Sequence, residues 1–534
     1  MKHNCIFKIS PQGAGALKGD VAEMGMKAHG LARMAQLGLP VPHAFVLGTL
    51  HCRLCSQNPE RYVKNLDRLL EEPFHWLQTV TGLGFGDTRR PLLVSVRSGA
   101  PVSMPGMMDT LLNIGLCDAT AHGLLRLTGN PRLVWDSYRR LIRDFAQVVF
   151  AASPQPFVAA LEVVLARDRV RRVQELDYLS LSELSKSYLR IFLELTGREF
   201  PQSPLEQLGL AIKAVFASWN SSRAIEYRRI YRFSDEPCTA VTVQQMVFGN
   251  AGGTSGAGVG FTRDPDSGEK RLYVDFLFNS QGEDVVSGRT SGSDAQKLFS
   301  AMPETEQALL DICAALEKEY GDAQEFEFSL QDGVLYLLQT RNAKRTPWAA
   351  LRIAVELVGE GLVEKSEALT RLSDLVLADI RRLRLAGEER PPLCQGQAAG
   401  IGVASGPLAL DPDAVRTFSG QGRPAVLVRE EMATADIAGI ALSAGVLTVR
   451  GNRTSHAAVV ARQMGKACIT GCAPLRIDAS RRVVEFGDRS FAEGETVTLD
   501  SNTGRVFAGE VVVVIDYPTP WLAEIESWRR EANR

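Results

Sequence analysis

At 534 residues the chain has room for about three to four domains, and its 45% hydrophobic and 23% charged composition is that of ordinary globular protein. A net charge of −2 argues against nucleic acid or an anionic membrane surface as partner. No apolar run reaches the roughly 18 residues of a membrane span and MKHNCIFKIS lacks a secretory core, so with nine scattered cysteines the expected place is a reducing cytoplasm.

In chain order, residues 21–37 have the apolar spacing of a helix, followed by the turn GLPVP and a strand over 44–47. Residues 91–109, PLLVSVRSGAPVSMPGMMD, read as a buried strand running into a loop, and Arg97 follows the apolar run. A guanidinium there needs an anion to meet, and its planar fork suits phosphate oxygens. Residues 110–235 are mainly helical by periodicity. The glycine-rich stretch GNAGGTSGAGVG, residues 249–260, lies between VTVQQMVF and VGFTR and reads as a long hairpin loop.

Residues 324–341 read as two strands joined at Asp332-Gly333. Period-two alternation places Glu325 and Glu327 on one face, and the return strand brings Gln339 and Arg341 nearby. Two carboxylates on one face call for a cation, and magnesium bridging nucleotide phosphates satisfies them. Residues 346–393 form a helical connector ending in charge and a proline pair, EERPP. From 394 the pattern changes to short strands and helices, an α/β module.

Within that module residues 446–449 read as a short strand, 450–455 as a polar turn and 457–464 as a helix closed by Gly465, so His456 falls in the first turn of a helix. Free backbone N–H groups and the positive end of the dipole favour a phosphoryl group there, with Thr454 or Ser455 as cap. A neutral imidazole is a nucleophile that needs no prior deprotonation.

The run TSHAAVVARQMGK resembles the phosphohistidine motif of the phosphoenolpyruvate-utilising enzymes, and within them the pyruvate phosphate dikinase family. SVRSGA, SMPGMMDT and NSQGEDVVSG resemble that family too. The resemblance implies an ATP-grasp nucleotide-binding domain over 1–345 with a helical insertion over about 110–235, a linker over 346–393, a swivelling phosphohistidine domain over 394–510 and a tail over 511–534. It implies ATP and Mg2+ as cofactors. Lys27, in Gly25-Met26-Lys27-Ala28 where the family has GGKG, would reach nucleotide phosphates with Arg97, Gly252, Thr254, Ser255, Gly256, Glu283, Gln339 and Arg341. Glu325, where the family has Asp, and Glu327 would hold the metal, and His456 would carry the phosphoryl group. Arg453 departs from the family pattern; beside His456 it either steadies a phosphate or suppresses imidazolium formation.

The dikinases complete their cycle on a barrel of about 250 residues, and only 78 residues follow His456 (534 − 456). The expectation is therefore a histidine-autophosphorylating half of a split dikinase, using ATP and inorganic phosphate and passing the group to a separate pyruvate-binding protein or to a small molecule. A stand-alone phosphotransferase with another acceptor and a weakly active nucleotide-binding regulator are the alternatives; homo-oligomerisation is left open.

Overall fold

A computed structural model describes residues 5–11, 19–102, 104, 108–231, 233–234, 238–286, 294–387, 390–432, 436–453 and 455–532. The chain divides into two compact units, Met1–Gly256 with Ser329–Thr340, and Ala257–Phe328 with Arg341–Arg534. This division cuts across the boundaries expected from sequence: residues 257–328 share a unit with the linker and the α/β module.

The first unit is built on an antiparallel sheet whose strands run in the order Ile6–Ile9, Ala44–Leu47, Ala240–Gln245, Val94–Gly99 and Thr110–Ile114. Phe45, Val94 and Val96 from the sheet pack with Leu141, Phe145, Phe192 and Phe216 from the helices, forming one core. The central helix, Pro131–Phe150, starts with Asn130 accepting from the Leu133 amide and with Pro131 at its first position, where the missing N–H costs nothing.

The helix expected over 21–37 is two helices, Val21–Met24 and Met26–Gln36. Gly25 breaks it at φ 75°, and a Cβ there would lie 1.8 Å from the Gly99 carbonyl oxygen. Only glycine permits this approach to the end of the Val94–Gly99 strand.

A four-stranded sheet runs in the order Val334–Asn342, Gln324–Gln331, Gly256–Phe261 and Tyr273–Phe278. The hairpin expected around residues 249–260 is therefore absent: Ala240–Gln245 and Gly256–Phe261 lie in different sheets, and the glycine-rich stretch is a crossover. Packing explains the choice. A Cβ at Gly258 would sit 2.4 Å from the Phe328 ring and one at Gly260 2.3 Å from the Phe326 ring, so these glycines make room for the aromatics of Gln324–Gln331 and select that strand as partner.

In the second unit an eight-stranded sheet has a parallel centre, Val403–Ala409, Val426–Arg429, Gly445–Thr448 and Ala467–Thr470. Helices Pro412–Gly420, Ile437–Leu442 and His456–Gln463 are its crossovers. The fully buried Val446 and Leu447 show the continuous apolar run of a parallel strand covered on both faces.

The connector is helical over Pro347–Gly359 and Lys365–Arg371, but the helical expectation fails beyond: Leu377–Asp379 is a 3₁₀ turn and Arg382–Leu385 a strand paired antiparallel with Val513–Asp516. Its Arg-Leu-Arg-Leu alternation suits a strand, and Asp516 accepts from Arg382 at 3.4 Å and Arg384 at 3.0 Å. Helix Thr519–Ala532 stacks Trp521 edge-on against Trp348, 5.4 Å between centroids. Among the described residues no helix is long and apolar enough to cross a membrane.

Candidate functional site

Lys27 is the second residue of Met26–Gln36 and half-buried; the Met26 amide donates to the Ala100 carbonyl at 2.9 Å, fixing the helix start against the strand that carries Arg97. Arg97 Nη1 donates to Gln244 Oε1 at 3.2 Å and to the Leu338 carbonyl at 3.3 Å, next to the buried Gln339. Lys27, Arg97 and Gln339 therefore all belong to the first unit.

The glycine-rich crossover divides into an anchored base and an open tip. Ser255 is buried and its hydroxyl accepts from the Asp332 amide at 2.9 Å, while the Thr254 carbonyl accepts from the Gly333 amide at 3.0 Å. Ser255 thus serves the turn, and the exposed hydroxyl of the pair is Thr254. A Cβ at Gly252 or Gly253 would meet nothing within 4 Å, so the tip is bare backbone, and Gly256 opens the following strand. Asn250 ties the base to Pro131–Phe150 by donating to Asp136 Oδ2 at 3.0 Å. Asp136 also binds both Arg139 and Arg140, the latter at 3.1 Å. Burial alone would raise its carboxyl, but these guanidinium groups and Arg132 hold it well below the usual range. Arg139 and Arg140 are both turned to this network. Sequence reading did not find it, because Asp136 and Asn250 are 114 residues apart.

The carboxylate hairpin forms as expected: Asp332 and Gly333 take φ 50° and 82°, the left-handed pair of a two-residue turn between Gln324–Gln331 and Val334–Asn342. With Phe326 and Phe328 committed to the glycine face, Glu325 and Glu327 share the other. Arg341 returns on the neighbouring strand and forms an ion pair with Glu325. Burial opposes the Arg341 charge, but Glu325 and Glu327 outweigh it and hold the group above its ordinary range. Among the described residues no cluster of three or more metal-ligating side chains exists. Two hard carboxylate donors, with the remaining positions left to phosphate and water, fit Mg2+ carried on a nucleotide.

His456 is the first residue of its helix, at the C-terminal edge of the parallel strand Gly445–Thr448, where open α/β sheets place ligands. Ser455 stands at the cap position with φ −60° and ψ 153°, but its side chain makes no capping hydrogen bond. Arg453 does not stand free: its guanidinium lies over the Tyr273 ring, 4.9 Å from the centroid. Arg462, near the helix end and fully buried, binds Asp266 through Nε at 2.6 Å. Arg462, Asp266 and Tyr273 were given no role from sequence; the buried arginine within an apolar helix was the one available signal. Thr454 and the side chains of His456 and Glu283 lie outside the described residues.

Residues 81–301 match the pyruvate phosphate dikinase AMP/ATP-binding domain, and residues 421–504 match the mobile domain of PEP-utilising enzymes. The chain is 40% identical over 499 residues to a pyruvate, phosphate dikinase of Clostridium symbiosum, covering 91% of this chain and 56% of that protein. It is 40% identical to a chloroplastic one of Arabidopsis thaliana over 97% of this chain and 54% of the relative, and 39% identical to one of Rhizobium meliloti over 98% and 60%. The chain thus spans about half the length of the curated relatives it matches. Each relative holds the matched region within one longer polypeptide, so an acceptor site on a separate chain gains no support from them. Over these two segments the chain is therefore similar to the nucleotide-binding domain of pyruvate phosphate dikinase and to the mobile domain of PEP-utilising enzymes.

Proposed function

We propose that this chain is an ATP-dependent phosphotransferase that loads a phosphoryl group onto His456. The observation that carries the reading is a histidine opening a helix at the edge of a parallel sheet, in a chain whose likeness to dikinases extends over both the nucleotide and the mobile domain. An imidazole nitrogen attacks the β-phosphorus of ATP, the bond from that phosphorus to the α-phosphate oxygen breaks, and AMP leaves. Inorganic phosphate then attacks the outer phosphorus, pyrophosphate leaves, and phosphohistidine remains.

The chain's part is positioning and charge. Lys27 and Arg97 neutralise phosphate oxygens, Gln339 hydrogen-bonds the nucleotide, and the bare tip at Gly252 to Thr254 offers backbone donors. Glu325 and Glu327 would hold Mg2+, which would supply charge neutralisation at the triphosphate. Arg341, paired with Glu325, would add a further guanidinium for the phosphate oxygens. Thr454, Ser455 and Glu283 support the same chemistry. The relatives' names suggest pyruvate as the onward acceptor.

Incubation with β- and γ-labelled ATP is expected to give an acid-labile, base-stable adduct carrying both labels, with the γ label lost on adding phosphate. An adduct that persists in His456→Ala would overturn the assignment.

A further inference from the structure

Beside the histidine helix three guanidinium groups meet two carboxylates. Arg271, Arg453 and Arg462 face Asp264 and Asp266. Asp264 is occupied: Arg271 Nη2 donates to it at 2.8 Å, and the amides of Asp266 and Ser267 at 2.9 and 3.0 Å. Asp266 is occupied by Arg462, through Nε at 2.6 Å and Nη2 at 3.4 Å. Among the described residues that leaves Arg453 with the face of Tyr273. A cation half withdrawn from water whose neighbouring carboxylates are already hydrogen-bonded elsewhere is costly, and a ring face offsets only part of it. Burial accordingly pulls the Arg453 group below its ordinary range, against the pull of Asp266 and Asp264.

Unsatisfied donors point the same way. Arg462 Nη1 and the Tyr273 hydroxyl are both buried and find no hydrogen-bond partner among the described residues. The side chains carrying them are 1% and 5% exposed. Arg453 links the two, since its carbonyl accepts from Arg462 Nη2 at 3.3 Å while its guanidinium covers Tyr273. A half-buried cation whose neighbouring carboxylates are taken, with idle buried donors on the residues it touches, is the arrangement an oxyanion completes.

We propose that Arg453, Arg462 and Tyr273 form a phosphate-binding site attached to the histidine helix, with Asp266 orienting Arg462 so that its Nη1 edge is left for the ligand. The choice of phosphate over other anions rests on the phosphotransferase reading; the need for an anion does not. The phosphate is either free or part of the nucleotide, and Arg462 also feels the charge of Glu325 on the carboxylate hairpin.

Binding of radiolabelled inorganic phosphate and of Mg·α,β-methylene-ATP to the 534-residue chain separates the sources. Arg453→Met and Arg462→Lys are each expected to weaken the phosphate ligand by about tenfold or more, and Tyr273→Phe by a few-fold, as for loss of charged and neutral hydrogen bonds. Loss confined to inorganic phosphate identifies a free-phosphate site; loss confined to the ATP analogue identifies a nucleotide phosphate. Arg462 is buried and its variant is open to misfolding, so half-buried Arg453 decides. An Arg453→Met chain with unchanged melting that binds both ligands like the wild type overturns the proposal, as does a wild type that binds neither. If instead phosphate binds and weakens as expected while no adduct forms on His456, the site stands and the phosphotransferase reading falls.

Discussion

The carboxylate hairpin and the histidine helix both bury arginines against acids, with opposite balances. On the hairpin, Arg341 is matched by Glu325 across one strand pair and by Glu327 beside it. At the helix, Arg462 and the half-buried Arg453, with the solvent-exposed Arg271, face two aspartates whose oxygens are already hydrogen-bonded. A matched pair is stable as it stands and exchanges partners when a cation and an anion arrive together; an unmatched cation keeps a standing affinity for an anion. The first arrangement suits a metal-bearing triphosphate, the second a phosphate group alone.

Removing one side of each balance distinguishes the regions. Arg341→Met leaves Glu325, whose side chain is 6% exposed, without its guanidinium. Loss of one partner of a buried pair costs about 3 to 5 kcal/mol, and the partial exposure of Arg341 places this at about 3. Urea unfolding should show that loss, and Mg2+ without nucleotide should stabilise the variant more than the wild type; equal responses break the metal assignment. Asp266→Asn keeps an acceptor for Arg462 Nε but deepens the excess of positive charge, with an expected loss of about 2 kcal/mol. Here phosphate, and not Mg2+, should restore stability beyond its effect on the wild type. Restoration by the metal would erase the contrast.

Sequence disclosed the hairpin because its information is local. Alternation fixes the face of Glu325 and Glu327, Asp332-Gly333 fixes the turn, and so the return of Arg341 follows. The helix opening at His456 was legible for the same reason. What was hidden depends on distant partners: Asp266 and Arg462 are 196 residues apart, and nothing near Tyr273 announces an arginine over its ring. The glycine-rich crossover was misread as a hairpin because its glycines answer to Phe326 and Phe328 on a third strand. Likewise Arg382–Leu385 has helical neighbours in sequence, and only pairing with Val513–Asp516 makes it a strand.

Comparing the two arginine sites requires knowing what else titrates near neutral pH, because arginines do not. Among the histidines with a resolved shift, His51 moves furthest: it is 4% exposed, its Nδ1 lies 3.1 Å from the Tyr62 hydroxyl, and burial lowers its pKa to about 4. A group whose folded pKa lies below its unfolded value, about 6.5, contributes stability that is fully present above the unfolded pKa. That contribution is lost as pH falls from about 6.5 toward 4, because the unfolded chain binds the proton first. Between pH 7 and 5.5 the loss should be about 1 kcal/mol. His29 and His43 are lowered by burial as well, so the measurement is the difference between the wild type and His51→Gln. The variant should show a flatter decline over this window, at unchanged response of the Arg341 and Asp266 variants to Mg2+ and phosphate. An identical decline in both proteins would assign the acid sensitivity elsewhere, and the two arginine sites would have to be compared at a pH above 7.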